Sequence, residues 1–301
     1  MRDCVIVGGG PAGLTAALYL ARYHLSSTLI DGGKSRAALI PLSHNHAGFP
    51  DGISGRDLLE RIRRQLALYP AELIHGQVES IDLEDGIFRL KVEGSLLDAK
   101  KVLLATGVIN HRPQMPDDLH DAALMRGLLR YCPVCDGYEI TDKDIAVTGS
   151  GSRAYAEAKF LRSYTASIAV FPDHGSLDMC EEELAELSDL GITVLDEPPL
   201  GFSIAEGALE VKFSDLTRRF ASVYPALGSD IQSDLAVSLG AERSEGGCLW
   251  VDKHQRTTVP NLYAAGDLVL GLDQISHAMG QAAVAATAIR NDLSSEKVLQ
   301  R

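Results

Sequence analysis

Residues 3–23 read DCVIVGGGPAGLTAALYLARY, and the fold turns on how this stretch is read. The run DCVIV is short, apolar and suited to a buried parallel strand. It passes straight into Gly8, Gly9, Gly10, Pro11, Ala12 and Gly13, and then into a segment with Leu14, Ala17, Leu18 and Ala21 at helical spacing. Gly8, Gly10 and Gly13 fill the G-x-G-x-x-G pattern, with Pro11 and Ala12 as its intervening residues. The pattern needs glycine for a tight turn, for close backbone approach to a pyrophosphate and for close packing of helix on strand. A second run, SSTLIDGG at 26–33, ends on Asp31 and Gly32. An acid at that distance beyond the loop holds a ribose hydroxyl. The competing reading is a tight turn with no ligand; the strand before, the helix after and the acid in place weigh against it.

The pattern recurs. DIAVTGSGSRAYAEAKFL at 144–161 again reads strand, loop, helix, with Gly149, Gly151 and Ala154 in the G-x-G-x-x-A variant, and SIAVF at 167–171 is the next strand. Two such units imply two nucleotide-containing cofactors, one resident and one visiting. A third region, TTVPNLYAAGD at 257–267, is expected to be a strand ending in Ala264-Ala265-Gly266-Asp267, followed by an apolar helix. Asp267 beside Gly266 suits acceptance of hydrogen bonds from a cofactor's hydroxyls; alone, such an acid is more often a cap or turn residue. KVLLATG at 101–107 makes a similar strand-to-glycine turn at Ala105, Thr106 and Gly107. Between these lie an amphipathic helix at 55–70 ended by Pro70, antiparallel strands over 71–94 with a turn at Asp85-Gly86, and an acidic helix at 180–191 stopped by Gly191. The fold class expected is α/β, with two Rossmann-like (three-layer ββα) dinucleotide-binding domains.

At 301 residues two domains are the natural expectation, and the net charge of −13 disfavours nucleic acid and anionic membrane surfaces as partners. No apolar run is long enough to span a membrane, and the first twenty residues lack a basic leader and a cleavage site, so a cytoplasmic setting is expected. In a reducing cytosol a Cys-x-x-Cys pair points to catalysis or metal binding rather than to a structural staple.

Such a pair lies in RYCPVCDGYE at 130–139. A zinc site needs four ligands, but Cys4, Cys180 and Cys248 are scattered singly and no second Cys-x-x-Cys exists. Cys4, within the first strand, reads as a small buried hydrophobe. His44 and His46, in PLSHNHAGFPDG, read as cofactor-lining or exposed histidines rather than ligands. A redox pair needs one cysteine to attack and one to resolve, and two intervening residues at a helix start bring both sulfurs within bonding range.

Together these features resemble the low-molecular-weight thioredoxin reductase family of flavoprotein disulfide reductases. The landmarks are GGGPAG at 8–13, ATG at 105–107, CPVCDG at 132–137, GSGSRA at 149–154 and AAGD at 264–267, in family order over nearly the whole chain. The resemblance implies a discontinuous FAD domain, 1–112 and 230–301, with a smaller domain inserted at 113–229 that carries the cysteines. It also implies a homodimer, and two domains that rotate so that the disulfide faces either the flavin or the substrate. It further implies that Cys132 attacks the target disulfide, that Cys135 resolves it and exchanges electrons with the flavin, and that Asp136 moves the proton; plain N-capping is the alternative role for Asp136. The flavin-contacting set carried over is Gly8, Gly10, Pro11, Ala12, Gly13, Asp31, Gly32, His46, Val78, Ala105, Thr106, Gly107, Gly266, Asp267, Gln274 and Ile275. Gln281 and Ala282 are candidates on the same basis, although LDQISHAMGQAA departs from the family wording.

One departure matters more. After the strand SIAVF, family members that use NADPH carry arginines for its 2′-phosphate, and guanidinium forks suit that group. This chain reads Phe171-Pro172-Asp173-His174-Gly175-Ser176-Leu177-Asp178, with no arginine from Thr165 to Thr217. NADPH bound in the family's manner is therefore disfavoured. Three readings stay open: Asp173 holds the free 2′-hydroxyl of NADH; the loop of Gly149, Gly151 and Ala154 is vestigial and another donor such as ferredoxin or a second flavin serves; or oxygen takes electrons from the flavin while the cysteines oxidise a dithiol. A non-standard donor is preferred over NADH, since Pro172 makes the strand end unusual and Arg153 replaces a small or acidic residue. The expected substrate is a thioredoxin-like protein or a small disulfide. The rival from another class is a non-catalytic flavin redox sensor on the same scaffold.

Overall fold

The computed structural model describes residues 1–296, 298 and 299. The chain divides into two compact units: Met1–Leu39, Ile53–Ile109 and Asp230–Arg301 form the first, Ile40–Gly52 and Asn110–Ser229 the second.

The first unit is built on a seven-stranded sheet. Strand Arg2–Val7 lies between the parallel strands Ser27–Asp31 and Ser95–Leu104, and Glu72–His75 extends the sheet beside Ser27–Asp31. The ten-residue strand Ser95–Leu104 serves twice. Its start pairs antiparallel with Ile87–Val92, while Lys101–Leu104 runs parallel to Arg2–Val7 on one side and Leu262–Ala264 on the other. Its burial explains this: the end Val102–Leu104, flanked on both sides, is wholly buried, while Ser95 and Leu96 are exposed. The antiparallel pair Val78–Glu84 and Ile87–Val92 turns through Asp85 and Gly86, both at positive φ (50° and 78°), as a two-residue hairpin loop requires.

Three helices cover this sheet's loops and faces. Pro11–Arg22 packs along Ile275–Glu296, and both helices bury runs of alanine whose small side chains allow close approach. The amphipathic helix Gly55–Leu66 is capped by Ser54, whose hydroxyl accepts from the Asp57 N–H at 3.0 Å. It ends at Leu66, and the chain goes on to Pro70 in tighter turns, with the Leu68 and Tyr69 N–H groups donating to the Gln65 and Leu66 carbonyls. The strand expected over 257–267 shrinks to Leu262–Ala264, since Pro260 offers no N–H and Asn261 takes φ 69°.

The second unit carries a parallel four-stranded sheet in the order Thr193–Val194, Ile168–Phe171, Ile145–Thr148, Ser222–Pro225. Helices Gly151–Leu161 and Glu181–Asp189 pack on it through Ala154, Ala158, Leu161 and Leu187, which join the buried Ile145, Val147 and Val170. An antiparallel sheet, Gly201–Ala205, Ala208–Lys212 and Thr217–Phe220, closes a second core around Phe171, Phe213 and Phe220. Both units therefore repeat strand, glycine loop, helix, strand, and the α/β, Rossmann-like class read from the sequence is the class observed. Among the described residues no helix is long and apolar enough to cross a membrane.

Candidate active site

In the first unit the glycines are required by contact. A Cβ on Gly13 would sit 1.8 Å from the Gly8 carbonyl oxygen, one on Gly8 (φ 114°) 2.2 Å from that of Ala105, and one on Gly9 2.0 Å from Cγ of Asp31. The loop is thus pressed between the ends of two parallel strands. It opens the helix Pro11–Arg22, whose N-cap is Gly10, with no side-chain cap and no acid in the first turn. Free N–H groups and the positive end of a helix dipole suit an anion there.

Around this loop stand most of the residues singled out from the sequence. Asp31 is buried at the end of its strand; one carboxylate oxygen accepts from the Gly33 N–H at 2.8 Å and the other from Arg63 at 3.1 Å. Gly32 follows it, facing Gly76. Ala105 is tied to Val7 by its N–H, Thr106 donates its hydroxyl to the Gln232 carbonyl at 2.5 Å, and Gly107 turns at φ 66°. Gly266, at φ 91°, lies over Ala12, where a Cβ would come within 3.2 Å of the Ala12 Cβ, and its N–H is held by the buried amide of Gln281 at 2.8 Å. Asp267 pairs with Arg36 at 3.2 Å; burial raises its pKa, helped by Asp273 and opposed by Arg36. Gln274 precedes, and Ile275 begins, the helix Ile275–Glu296, in which Ala282 is buried. Val78 heads its strand with its side chain in the core beside Ile30 and Leu90. Arg36, Arg63 and Gly9 belong to this neighbourhood and were missed by the sequence motif. Gly9 alone carried a signal, as a third consecutive glycine.

In the second unit Cys132 and Cys135 form a disulfide, with Cα atoms 5.2 Å apart. Cys132 is the N-cap of the one-turn helix Pro133–Asp136, and its Sγ accepts from the Cys135 N–H at 3.1 Å. With only one turn of helix, this local N–H rather than a long macrodipole favours negative charge on that sulfur. Asp136 does not cap the helix. Its Oδ2 accepts from Arg130 at 2.9 Å and its Oδ1 from the Tyr224 hydroxyl at 3.0 Å. Burial raises its pKa, against the pull of Arg130 and Tyr224. The residue before the pair is braced as well: Tyr131 shares a 2.8 Å hydrogen bond with the buried His120. The segment Ile40–Gly52 belongs to this unit: His46 stacks on Phe49, and the Asn45 amide donates to the Val134 carbonyl at 3.4 Å.

The second glycine loop lies beside these groups. Gly149, at φ 152°, approaches Ala226 so closely that a Cβ would meet its carbonyl oxygen at 2.8 Å, and the Gly151 N–H donates to the Leu177 carbonyl at 2.7 Å. Ala154 is wholly buried under the helix. Asp173 is only 7% exposed; one oxygen accepts from the Gln114 N–H at 3.2 Å and the other faces His174 at 3.5 Å. Arg153 lies against Gly228, where a Cβ would come within 2.6 Å of its guanidinium.

Cys4 is buried, and burial pushes its thiol far up, out of the reactive range. Among the described residues no group of three His, Cys, Asp or Glu side chains converges as a metal site.

Residues 2–282 match the family model described as pyridine nucleotide-disulphide oxidoreductase. A thioredoxin reductase of Streptomyces clavuligerus is 30% identical over 319 residues, covering 99% of this chain and 94% of that one. The chain belongs to the thioredoxin reductase family of pyridine nucleotide-disulphide oxidoreductases. A crystal structure of thioredoxin reductase from Streptococcus pyogenes superposes with a TM-score of 0.87 at 28% identity, covering 98% of this chain and 99% of that one. The crystal structure of HlmI gives a TM-score of 0.90 at 28% identity, over 99% and 94% of the two chains. Thioredoxin reductases are flavoprotein disulfide oxidoreductases, and this chain is an enzyme of that class. The family's FAD is compatible with the first unit: the cradle around Gly8, Gly9 and Gly13 has no room for side chains, and it opens on an uncapped helix N-terminus with no acid in its first turn.

Proposed function

We propose that this thioredoxin reductase relative passes electrons between its flavin and a thioredoxin-like protein through Cys132 and Cys135, and that its electron donor is not NADPH. The observation that carries the relay is the Cys132–Cys135 disulfide with a buried acid one residue beyond it, held by Arg130 and Tyr224. Cys132 attacks the substrate disulfide, Cys135 resolves the mixed disulfide, and Asp136 holds the proton that the leaving thiolate takes. Burial raises the Asp136 carboxyl above its ordinary value, the direction that favours holding a proton.

FAD is held by the loop of Gly8, Gly10, Pro11, Ala12 and Gly13, by the turn at Ala105–Gly107 and by Gly266 and Asp267. Once bound, it supplies or accepts the electron pair that the two sulfurs exchange. Asp31 and Arg63 complete the far end of that loop as a charged pair.

The donor reading rests on the strand end at 171–178. No guanidinium is present there, and Asp173 occupies the place with its carboxylate bonded to the backbone of Gln114. A 2′-phosphate would meet a buried negative charge, which is strongly unfavourable. NADH held through the free acceptor capacity of Asp173 is the alternative, and a ferredoxin or a second flavin is the preferred donor class because Pro172 makes the strand end unusual and Arg153 replaces a small or acidic residue of the loop. The relay is tested with Cys132→Ser and Cys135→Ser variants of the flavin-bearing enzyme. Each is expected to lose thioredoxin-linked turnover, and normal turnover by Cys135→Ser would overturn the assignment.

A further inference from the structure

The two glycine loops of this chain share a pattern but not a conformation. In the first, the middle glycine is Gly10, the N-cap of helix Pro11–Arg22, at φ −78°. Its counterpart in the second is Gly151, at φ 60° in the left-handed region. The middle glycine of the pattern is where backbone comes closest to a pyrophosphate, and N–H groups there face the anion. At Gly151 that N–H is already used: it donates to the Leu177 carbonyl at 2.7 Å. The next carbonyl, of Asp178, stands alongside, its oxygen 3.7 Å from where a Cβ on Gly151 would lie. At Gly10 the group that a Cβ would meet is instead the Ser35 hydroxyl, at 3.2 Å, which can donate.

The segment that supplies the two carbonyls is fixed along its length. Asp173 accepts from the Gln114 N–H at 3.2 Å, and Gly175 and Asp178 turn the chain at φ 63° and 51°. Leu177, only 3% exposed, joins the core with Ala154, Ala158 and Leu161 of helix Gly151–Leu161. At the far end the Cys180 N–H donates to Glu183 at 3.0 Å, where the next helix opens. Residues 172–180 carry two acids, Asp173 and Asp178, and no lysine or arginine. The cation of the glycine loop, Arg153, lies against Gly228.

We propose that Leu177 is a specificity-determining residue for the electron donor: it pins residues 173–178 across the second glycine loop, with its carbonyl where a pyrophosphate oxygen would bind, and so closes that loop to NADH and NADPH alike. This goes beyond the exclusion of NADPH argued above, because it does not depend on a 2′-phosphate. The positive end of a helix suits a carbonyl oxygen as it suits an anion, so the helix terminus is satisfied from within the chain. A pyrophosphate brought to Gly151 would meet two carbonyl oxygens, with the N–H of that residue already bonded. An anion held against bare oxygen and out of water is strongly unfavourable. Electrons therefore reach the flavin by a route that does not use the second glycine loop.

The test uses the flavin-bearing enzyme and follows ADP-ribose, NADH and NADPH by anaerobic equilibrium dialysis. ADP-ribose carries the pyrophosphate but neither the nicotinamide nor the 2′-phosphate. The parent is expected to bind none of the three saturably up to about 1 mM, the top of the usual range for enzyme substrates. Saturable binding of ADP-ribose or NADH below that concentration overturns the proposal, and the exclusion of NADPH still stands if NADPH is not bound. Binding of NADPH overturns both. Leu177→Gly removes the anchor. It is expected to speed hydrogen exchange at the Gly151 amide and to admit ADP-ribose within the same range. A variant with unchanged exchange, or with faster exchange and no ADP-ribose binding, overturns the proposal. Should Leu177→Gly not fold, the Gly151 amide of the parent is expected to be protected from exchange, with NADH leaving that protection unchanged. Exchange as fast as at an exposed loop amide overturns the proposal as well.

Discussion

The Tyr224 hydroxyl donates to Oδ1 of Asp136 at 3.0 Å across 88 positions of sequence, joining a sheet strand to the acid that follows the redox cysteines. The bond explains why a carboxyl that burial pushes up is still held in a fixed place. Tyr224 itself is wholly buried, and burial together with the Asp136 charge pushes its own ionisation far up, so it acts only as a donor.

Tyr224→Phe removes that donor with little change of shape. The expected cost is about 1–2 kcal/mol in denaturant unfolding, as for a buried hydrogen bond to a charged group. The bond favours the carboxylate, so its loss raises the Asp136 pKa further. The limb of the pH–rate profile that reports Asp136 should move to higher pH, and a profile unmoved by the substitution would contradict the arrangement.

Glu157, on helix Gly151–Leu161 with its Oε1 shut off from solvent, governs stability against pH. Its folded pKa is raised from 4.5 to about 7, so the folded state binds more protons than the unfolded chain in that window. Stability from this group is present below pH 4.5 and is lost as the pH rises to 7. The loss is roughly 2 kcal/mol after allowing for partial exposure. Glu157→Gln should flatten this part of the urea-midpoint profile, and an unchanged slope between pH 4.5 and 7 would show that the group is not buried as described.

Gly13 tests the cradle. A methyl group there would lie 1.8 Å from the Gly8 carbonyl oxygen, so backbone must shift. Gly13→Ala should cost about 1–3 kcal/mol and yield protein with little bound flavin, read from its visible absorbance. Gly246→Ala, whose new methyl group would lie 3.9 Å from the Ser244 hydroxyl, should stay within about 0.5 kcal/mol of the parent and remain yellow.

Arg63 and Asp31 form a pair in which the carboxylate is 3% exposed and the guanidinium 31%. Arg63→Ala leaves a buried charge unpaired and should cost about 2–4 kcal/mol. Adding Asp31→Asn should restore part of that loss, since the unpaired charge is then gone. Additive losses would argue against a direct pair.

The features legible in sequence are those that depend on neighbours along the chain. Gly8, Gly10 and Gly13, the strand before them and the helix after them carry their own spacing, as do Cys132, Cys135 and Asp136. Their partners do not. Tyr224 meets Asp136 only because a parallel sheet brings a strand 88 positions away beside it, and Arg36 reaches Asp267 across 231 positions. The helix from Gly55 tightens into turns after Leu66 before Pro70, and the strand at Leu262 is short because Pro260 and Asn261 break its approach. Asp173 has the identity expected of a ribose-binding acid, but its bond to Gln114 depends on a loop 59 positions away.

The most direct test of the account is anaerobic reduction of the bound flavin by NADPH, NADH and a reduced ferredoxin in parallel, followed by assay of thioredoxin thiols. NADPH is expected to bleach the flavin slowly or not at all. Reduced ferredoxin is expected to bleach it rapidly, with thiols appearing only while Cys132 and Cys135 are intact. Rapid bleaching by NADPH would contradict it.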